Sequence, residues 1–173
     1  MAINHLLRDA ILNTKPNPRY AYIAPTYRQA KAVAWDYLKQ FAGAIPMVRF
    51  HETELRADLP NGARIQLLGS ENPDSLRGIY LDGTCLDEMA DMPESLFPEI
   101  IRPALSDRKG WALFIGTPRG HNSFFDLYEA AEGQADWHTA LYKASDTGIL
   151  DAEELDAAQS VMTADQYAQE YEC

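Results

Sequence analysis

Ile79-Tyr-Leu-Asp-Gly-Thr-Cys-Leu-Asp87-Glu88 is the stretch from which the fold can be predicted, because it is a mainly apolar run that ends in two adjacent carboxylates. In a parallel α/β sheet, ligands bind beyond the carboxyl ends of the strands, so a strand ending in Asp-Glu delivers both carboxylates to that edge. A simpler interpretation is equally open from this stretch alone. Acids after a strand also begin turns and helices, and Asp91 and Pro93 are typical residues of a helix start.

Adjacent acids at a strand end suit the chemistry of a nucleotide site. The first, Asp87, can hold a Mg²⁺ ion that bridges phosphates, and the second, Glu88, can orient and deprotonate an attacking water. Asp82 lies five residues before Asp87, and strand residues an odd number apart face opposite sides. We therefore expect Asp82 to form a turn or a salt bridge and not to share a metal with Asp87.

Composition is that of one globular domain, with 173 residues, 46% apolar and 24% charged. No apolar run approaches the roughly 18 residues that a membrane span requires, and the first residues are too polar for a secretory signal. We expect no membrane association and a cytoplasmic location. Cys85 and Cys173 show no metal-ligand spacing and are interpreted as structural thiols.

The net charge of −11 is confined to one part of the chain. Residues 126–173 contain twelve acids and a single Lys143, whereas residues 1–125 contain fourteen acidic and fourteen basic residues. An acidic surface does not bind DNA, so any DNA contact is expected from local basic positions. These candidates are Arg28, Lys31, Arg102, Arg108 and Lys109.

Hydrophobic spacing predicts an alternation of helices and strands. A helix over 2–12 and a strand at 20–24 precede a second helix, capped by Thr26, whose apolar positions include Val33 and Tyr37. Pro60-Asn61-Gly62 separates two extended runs and predicts a hairpin at the sheet edge. Trp111–Ile115 is apolar at consecutive positions, which predicts a central strand buried on both faces. Residues 137–142 could add a last strand, and acidic helices follow.

Two further blocks accompany the acid pair in a fixed order. Leu76-Arg77-Gly78 lies upstream, and Gly116-Thr117-Pro118-Arg119-Gly120 follows the Trp111–Ile115 strand. With these three blocks, from the Tyr-Ile-Ala-Pro-Thr-Tyr block near residue 22 to Tyr128, the chain resembles the ATPase domain of the large terminase subunit, the DNA-packaging motor of tailed bacteriophages. The resemblance implies an α/β fold, a three-layer P-loop NTPase-like (ASCE) domain with a mainly parallel sheet, an edge hairpin and C-terminal acidic helices.

The resemblance also implies roles for particular residues. Glu88 would be the catalytic base, Asp87 would bind Mg²⁺ through water, and Gly116 would contact the nucleotide. Arg77 would be supplied to the nucleotide of a neighbouring subunit, and Thr117 would couple hydrolysis to movement. From the residues alone, Arg77 could equally pair with Asp74 or Asp82 on the surface, and Thr117 could mark only a tight strand exit.

The implied cofactors are ATP and Mg²⁺. The implied partners are double-stranded DNA, the portal protein, the small terminase subunit and further copies of the chain in a homo-oligomeric ring, all in the cytoplasm of a bacterial host. The family pattern divides the chain into a partial ATPase core, residues 1–145, and an acidic helical segment, residues 146–173, that leads toward a nuclease domain.

One element of the family pattern is missing. The phosphate-binding loop has the form G-x-x-x-x-G-K-[ST], and this sequence contains no Gly-Lys dipeptide. We therefore expect the first, central strand of the sheet to be absent, leaving a gap, a substitute strand or a slot filled by a neighbour. Three hypotheses follow: a segment of a packaging motor, a helicase-like translocase, or a nucleotide-incompetent chain that acts only through assembly.

Overall fold

The computed structural model describes all residues from Met1 to Cys173 and divides into two compact units, 1–115 and 116–173. The boundary expected after residue 145 stays a prediction. None of the helices has both the length and the apolar character needed to cross a membrane.

The first unit is built on a six-stranded sheet of order β2-β3-β4-β1-β5-β6. The pairs β1–β4, β1–β5 and β5–β6 are parallel, and β2–β3 and β3–β4 are antiparallel. The expected α/β class with a mainly parallel sheet is confirmed. The strands are β1 (Arg19–Ala24), β2 (Arg49–His51), β3 (Arg56–Asp58), β4 (Arg64–Gly69), β5 (Gly83–Asp87) and β6 (Trp111–Ile115).

Three helices complete this unit: α1 (Ala2–Leu12); α2, which runs through Tyr27–Ala30, a π-helical stretch at Lys31–Trp35 and Asp36–Ala42; and α3, which joins a π-helical stretch at Leu96–Ile101 to Arg102–Ser106. The Thr26 hydroxyl accepts the Gln29 N–H and caps α2 as expected. Val33 and Tyr37 were expected in the core, but both are more than half exposed. The buried side of α2 contains Ala30, Ala34, Trp35, Leu38 and Ala42.

The hairpin predicted around Pro60-Asn61-Gly62 is confirmed. β3 pairs with β4 across this turn, with Ala57 opposite Ile65, and β2 adds a further antiparallel strand at the outer edge. Asn61 fixes the turn from within, because its Oδ1 accepts the Ala63 N–H at 3.1 Å while its Nδ2 donates to Ala10 O at the end of α1, at 2.9 Å.

The gap predicted beside the acid-bearing strand is absent, so that prediction was wrong. β5 pairs with β1 from Tyr20 opposite Gly83 to Ile23 opposite Leu86, and with β6 from Gly83 opposite Trp111 to Asp87 opposite Ile115. Both neighbours lie in unbroken register. The backbone of β5 is therefore bonded on both sides without any additional strand.

β6 was predicted to be central, but it is the last strand of the sheet. Its faces are only partly covered, since Trp111 to Phe114 are half-buried and Ile115 is exposed: Trp111 and Leu113 pack on the main core, and Phe114 contacts Phe97 of α3 with ring centroids 4.7 Å apart. Trp111 also donates its indole N–H to Asp9 of α1 at 2.8 Å. A run of apolar residues reports that both faces of a strand are covered and says nothing about its two backbone edges.

Asp82 forms a buried ionic cluster just before β5 and is only 3% exposed. Its carboxylate accepts hydrogen bonds from the Arg108 guanidinium at 3.1 Å and from the Arg19 backbone N–H at 3.0 Å, and Lys15 Nζ lies 3.3 Å away. Burial alone raises the pKa of Asp82, but these three donors outweigh it and hold the pKa below its ordinary value. The expected salt-bridge role is confirmed, and Arg108 is committed to it instead of standing free for DNA.

At the other end of β5 the chain turns sharply. Glu88 has φ +57° and ψ +50°, the left-handed conformation, and it begins a single 3₁₀ turn at Met89–Asp91. This conformation is unfavourable for a residue with a side chain because Cβ approaches the carbonyl oxygen. Residues with this conformation cluster at functional sites, although five other non-glycine residues of this chain also have positive φ.

The second unit contains four helices: α4 (Ser123–Ala131), α5 (Ala144–Thr147), α6 (Ala152–Val161) and α7, which joins Ala164–Tyr167 to a π-helical stretch at Ala168–Glu172. The expected acidic helices are therefore present. Thr163 and Gln166 form a reciprocal capping box at the start of α7. The strand suggested at residues 137–142 does not form.

We predict that Asp82→Asn lowers the free energy of unfolding by about 2 kcal/mol at pH 7, because it removes the buried carboxylate that accepts charge-assisted hydrogen bonds from the partly exposed Arg108 and Lys15. The depressed pKa gives the sign of the pH dependence: a lowered carboxyl pKa stabilises the fold above the unfolded value, near pH 4, and that stability is lost as the pH falls through the folded value. The difference between wild type and variant should therefore shrink below about pH 4. Urea unfolding followed by tryptophan fluorescence measures both effects.

Asp74→Asn is the matched control for this experiment. Asp74 also pairs with an arginine, Arg77, but its side chain is 82% exposed, so the same substitution should change stability little. Equal losses in the two variants would contradict a special role for the buried cluster.

We also predict that Glu88→Gly is more stable than Glu88→Ala by about 1 kcal/mol, because glycine adopts the left-handed conformation without steric cost. Both variants lose the carboxylate, so the comparison isolates the backbone. Thermal unfolding of the two proteins is the measurement. A Glu88→Ala protein that matches or exceeds the glycine variant would show that this turn is not strained.

Candidate functional site

The acid pair lies where the sequence predicted it, at the carboxyl end of β5. Asp87 is half-buried, and Glu88, the next residue, is exposed to solvent. The left-handed backbone of Glu88 ends the strand, so the two neighbouring side chains leave the sheet in different environments. Of the two, the exposed carboxylate suits contact with a substrate or water, and the half-buried one suits a fixed position.

Tyr22 holds Asp87 from the neighbouring strand. Its hydroxyl donates a hydrogen bond to Asp87 Oδ2, and the tyrosine itself is only 2% exposed. Burial, reinforced by the bond to Asp87, raises the pKa of Tyr22, so the hydroxyl keeps its proton and acts as a donor. The sequence analysis missed this residue. Its only signal was a tyrosine at an apolar position of the strand that pairs with β5.

The same edge is closely packed where β4 ends and α2 begins. Glu71 accepts the Tyr27 backbone N–H with both carboxylate oxygens, at 2.9 and 3.0 Å, and Ser70 Oγ donates to Pro25 O at 3.1 Å. Gly69 permits this approach, because a Cβ on Gly69 would lie 2.2 Å from Tyr27 N. The N-terminus of α2 is thus already filled by a carboxylate of the chain.

Arg77 does not join the acid pair through any bond that the structure gives it. Its guanidinium Nε bonds Asp74 Oδ1 at 2.7 Å, and its Nη2 lies 3.4 Å from Glu99 Oε2. The pairing with Asp74 was one of the two interpretations left open by the sequence, and the pairing with Asp82 is not formed. Arg77 remains half exposed, so a second molecule can reach it. A role in a neighbouring subunit stays a prediction.

Gly116 and Thr117 open the second unit and are half-buried within the chain. Ile115, the last residue of the first unit, lies opposite Asp87 in the β5–β6 register, and Gly116 follows it directly in sequence. Where Thr117 stands with respect to the carboxylates stays a prediction.

No group of three or more His, Cys, Asp and Glu side chains forms a cage for a metal. Mg²⁺ in nucleotide sites is usually bound by one or two carboxylates, with phosphates and water completing the octahedron. Asp87 supplies one carboxylate at a ligand-binding edge, so the donor set fits an ion whose other ligands are water or the phosphates of a nucleotide.

Two other features lie apart from the acid pair. A groove of about 350 Å³ runs along β1, β4 and residues 75–81, and neither Asp87 nor Glu88 lines it. Cys85 is fully buried in β5, and burial raises the pKa of its thiol to about 12, so it acts as a packing residue as expected. The acid pair therefore remains the candidate site.

Comparisons with known proteins support the family that the order of the motifs indicates. The family model described as the N-terminal part of the terminase large subunit of T4likevirus type matches residues 5–173. The large terminase subunit of Thermus virus P23-45 is 32% identical over 136 residues, which are 68% of this chain. That match spans only 28% of the length of the viral protein.

Solved structures give the same result. The large terminase ATPase domain of Thermus phage P74-26 superposes with a TM-score of 0.68 at 26% identity, covering 93% of this chain and 78% of that one. The large terminase of another thermophilic bacteriophage, solved in complex with ADP, has a TM-score of 0.75 at 19% identity, over 90% of this chain and 40% of that one, and shares the fold. The chain belongs to the family of large terminase subunits, and it corresponds to the N-terminal, P-loop NTPase-like part of that family.

Proposed function

We propose that this chain is part of the ATP-hydrolysing motor of a phage large terminase subunit, which translocates viral double-stranded DNA into procapsids. The single observation that carries the proposal is the placement of Asp87 and Glu88 at the carboxyl end of β5, with Asp87 anchored and Glu88 exposed on a strained backbone. Ligands of parallel α/β sheets bind at this edge.

In this proposal the two acids have different tasks. Asp87, held by Tyr22, receives Mg²⁺ through water, and the ion supplies charge neutralisation to the phosphates when ATP is bound. Glu88 is exposed to solvent and can accept a proton from an attacking water. Gly116 contacts the nucleotide, and Thr117 follows the strand that lies beside Asp87 and couples hydrolysis to movement.

Arg77 is proposed to act on the nucleotide of a neighbouring subunit. Its guanidinium is half exposed and remains charged at any physiological pH, and its planar donors match phosphate oxygens. The pairs with Asp74 and Glu99 are exposed, so exchanging them for a phosphate costs little. This role requires a homo-oligomeric ring. The portal protein, the small terminase subunit and double-stranded DNA are the further partners that the proposal includes, in the cytoplasm of the host cell.

DNA contact is proposed to use the exposed basic side chains that remain. Arg28, Lys31, Arg102 and Lys109 are exposed, whereas Arg108 is occupied by Asp82. The many acids of residues 126–173 repel DNA, so this segment is expected to face away from it.

A second candidate function is favoured by one specific observation. The sequence has no Gly-Lys dipeptide and so lacks the backbone and lysine donors of a phosphate loop. In the alternative function, the chain binds no nucleotide and acts only through assembly. A helicase-like translocase would share the acid pair, but the Leu-Arg-Gly and Gly-Thr-Pro-Arg-Gly blocks favour the terminase assignment.

We predict that the 173-residue chain by itself binds ATP weakly and does not turn it over measurably, because its sequence lacks the backbone and lysine donors of a phosphate-binding loop. Isothermal titration with ATP and Mg²⁺ should show no saturable binding in the micromolar range. Micromolar affinity would contradict this prediction and point to phosphate donors elsewhere in the chain.

The motor function is tested with a protein that contains a phosphate-binding loop. The genomic sequence upstream of Met1 shows whether a Gly-x-x-x-x-Gly-Lys-Thr/Ser loop is encoded in frame, and the extended protein is then assayed for ATP hydrolysis. Glu88→Gln should reduce turnover by at least about a hundredfold, since it removes the general base. Glu94→Gln, an exposed glutamate in the same connection, is the matched control and should leave turnover unchanged. Equal activity of both variants would overturn the assignment of Glu88.

A further inference from the structure

Tyr22 and Asp87 lie diagonally across the β1–β5 pair. Tyr22 stands opposite Cys85, and Asp87 is two residues further along β5. Alternate residues of a strand share a face, and two residues advance the strand by about 6.6 Å, roughly the length of a tyrosine side chain. The hydroxyl therefore arrives beside the carboxylate without any distortion of the sheet.

The tyrosine ring is fixed by the main core. Tyr22 belongs to the cluster formed by α1, α2 and the central strands, together with Leu6, Tyr20 and Leu67. A carboxylate at a strand end rotates freely about its last torsion, because that torsion has no sharp minima. The bond from a rigid, buried hydroxyl removes this freedom from Asp87 by engaging Oδ2, and leaves Oδ1 as the oxygen that can face a cation or its water shell.

We propose that Tyr22 is the positioning residue of the motor site, and that its hydroxyl orients the Asp87 carboxylate for a divalent cation. This inference rests on the proposed function, in which Asp87 receives Mg²⁺. Hydrogen-bond partners behind metal-binding carboxylates set the orientation of the ligand, and their removal commonly weakens metal binding by about tenfold or more. A purely structural hydroxyl would affect stability and leave cation binding unchanged.

Tyr20 offers a matched control on the same strand and face. It is equally buried, and its hydroxyl accepts a hydrogen bond from Asn13 Nδ2 at 2.7 Å. Tyr20 lies opposite Gly83, at the other end of β5 from Asp87. Tyr20→Phe and Tyr22→Phe each delete one buried hydroxyl from β1, and only the second removes a contact with the acid pair.

The test uses the 173-residue chain and Mn²⁺ alone, as a paramagnetic substitute for Mg²⁺. Amide signals of the ¹⁵N-labelled protein are followed during the titration, so that broadening at Asp87 and Glu88 is separated from broadening in the acidic residues 126–173. In the Tyr22→Phe protein we expect about tenfold more Mn²⁺ to be needed for the same loss of the Asp87 signal. Tyr20→Phe should respond as wild type does.

Each other result has a definite meaning. If wild-type Asp87 responds and Tyr22→Phe responds within about twofold of it, or more strongly, the positioning role is wrong and the cation site stands. If wild-type Asp87 does not respond at all, the proposed cation role of Asp87 fails, and this inference fails with it. Should the Tyr22→Phe protein not fold, Tyr22→Met provides a second hydroxyl-free variant whose flexible side chain adapts to the core.

Discussion

Direct parallel pairing of β1 with β5 organises this structure. It buries a five-residue strand between two neighbours and leaves a carboxylate at each end, Asp82 before the strand and Asp87 at its last position. The two acids have different hydrogen-bond partners. The Asp82 carboxylate is surrounded by Arg108, Lys15 and the Arg19 N–H, which neutralise its charge. These contacts hold three segments of the chain together. Asp87 receives one neutral hydroxyl and keeps its negative charge available at the ligand-binding edge.

On one strand, Asp82 therefore contributes to stability, whereas Asp87 is available for chemistry. A buried charge is tolerated only with nearby opposite charges, and Asp82 has them. Asp87 has no such neutralisation among its hydrogen bonds, because a tyrosine donates without adding charge. Glu88 is exposed as a residue and has an unfavourable backbone conformation. The burial of Leu86 and Met89, on either side of the acid pair, offsets the cost of that conformation.

The fold class could be predicted from the sequence because its signals are local. The spacing of apolar residues identified α1, a capping residue identified the start of α2 at Thr26, and turn residues identified the Pro60-Asn61-Gly62 hairpin, and each signal depends only on neighbouring residues. The position of β6 was misjudged for a physical reason: its apolar run reflects contacts of Trp111 and Phe114 on the two faces, while the pairing of its edges is set by strands far away in sequence. Val33 and Tyr37 were misjudged because the buried side of α2 contains Ala34, Trp35 and Leu38, and the choice of side depends on the packing of the helix on distant strands.

For the site, the order of residues was enough to show that Asp87 and Glu88 end a strand and, through the succession of motifs, to indicate the family. The residues that contact the two acids could be identified only from the tertiary structure. Tyr22 is 65 residues from Asp87 in the chain, and no local pattern connects the two. The same holds for Arg77, which the fold pairs with Asp74 and Glu99. Neighbouring residues determine caps, turns and the ends of strands. The partners of a side chain depend instead on strand order and register, which arise only when distant segments pack together.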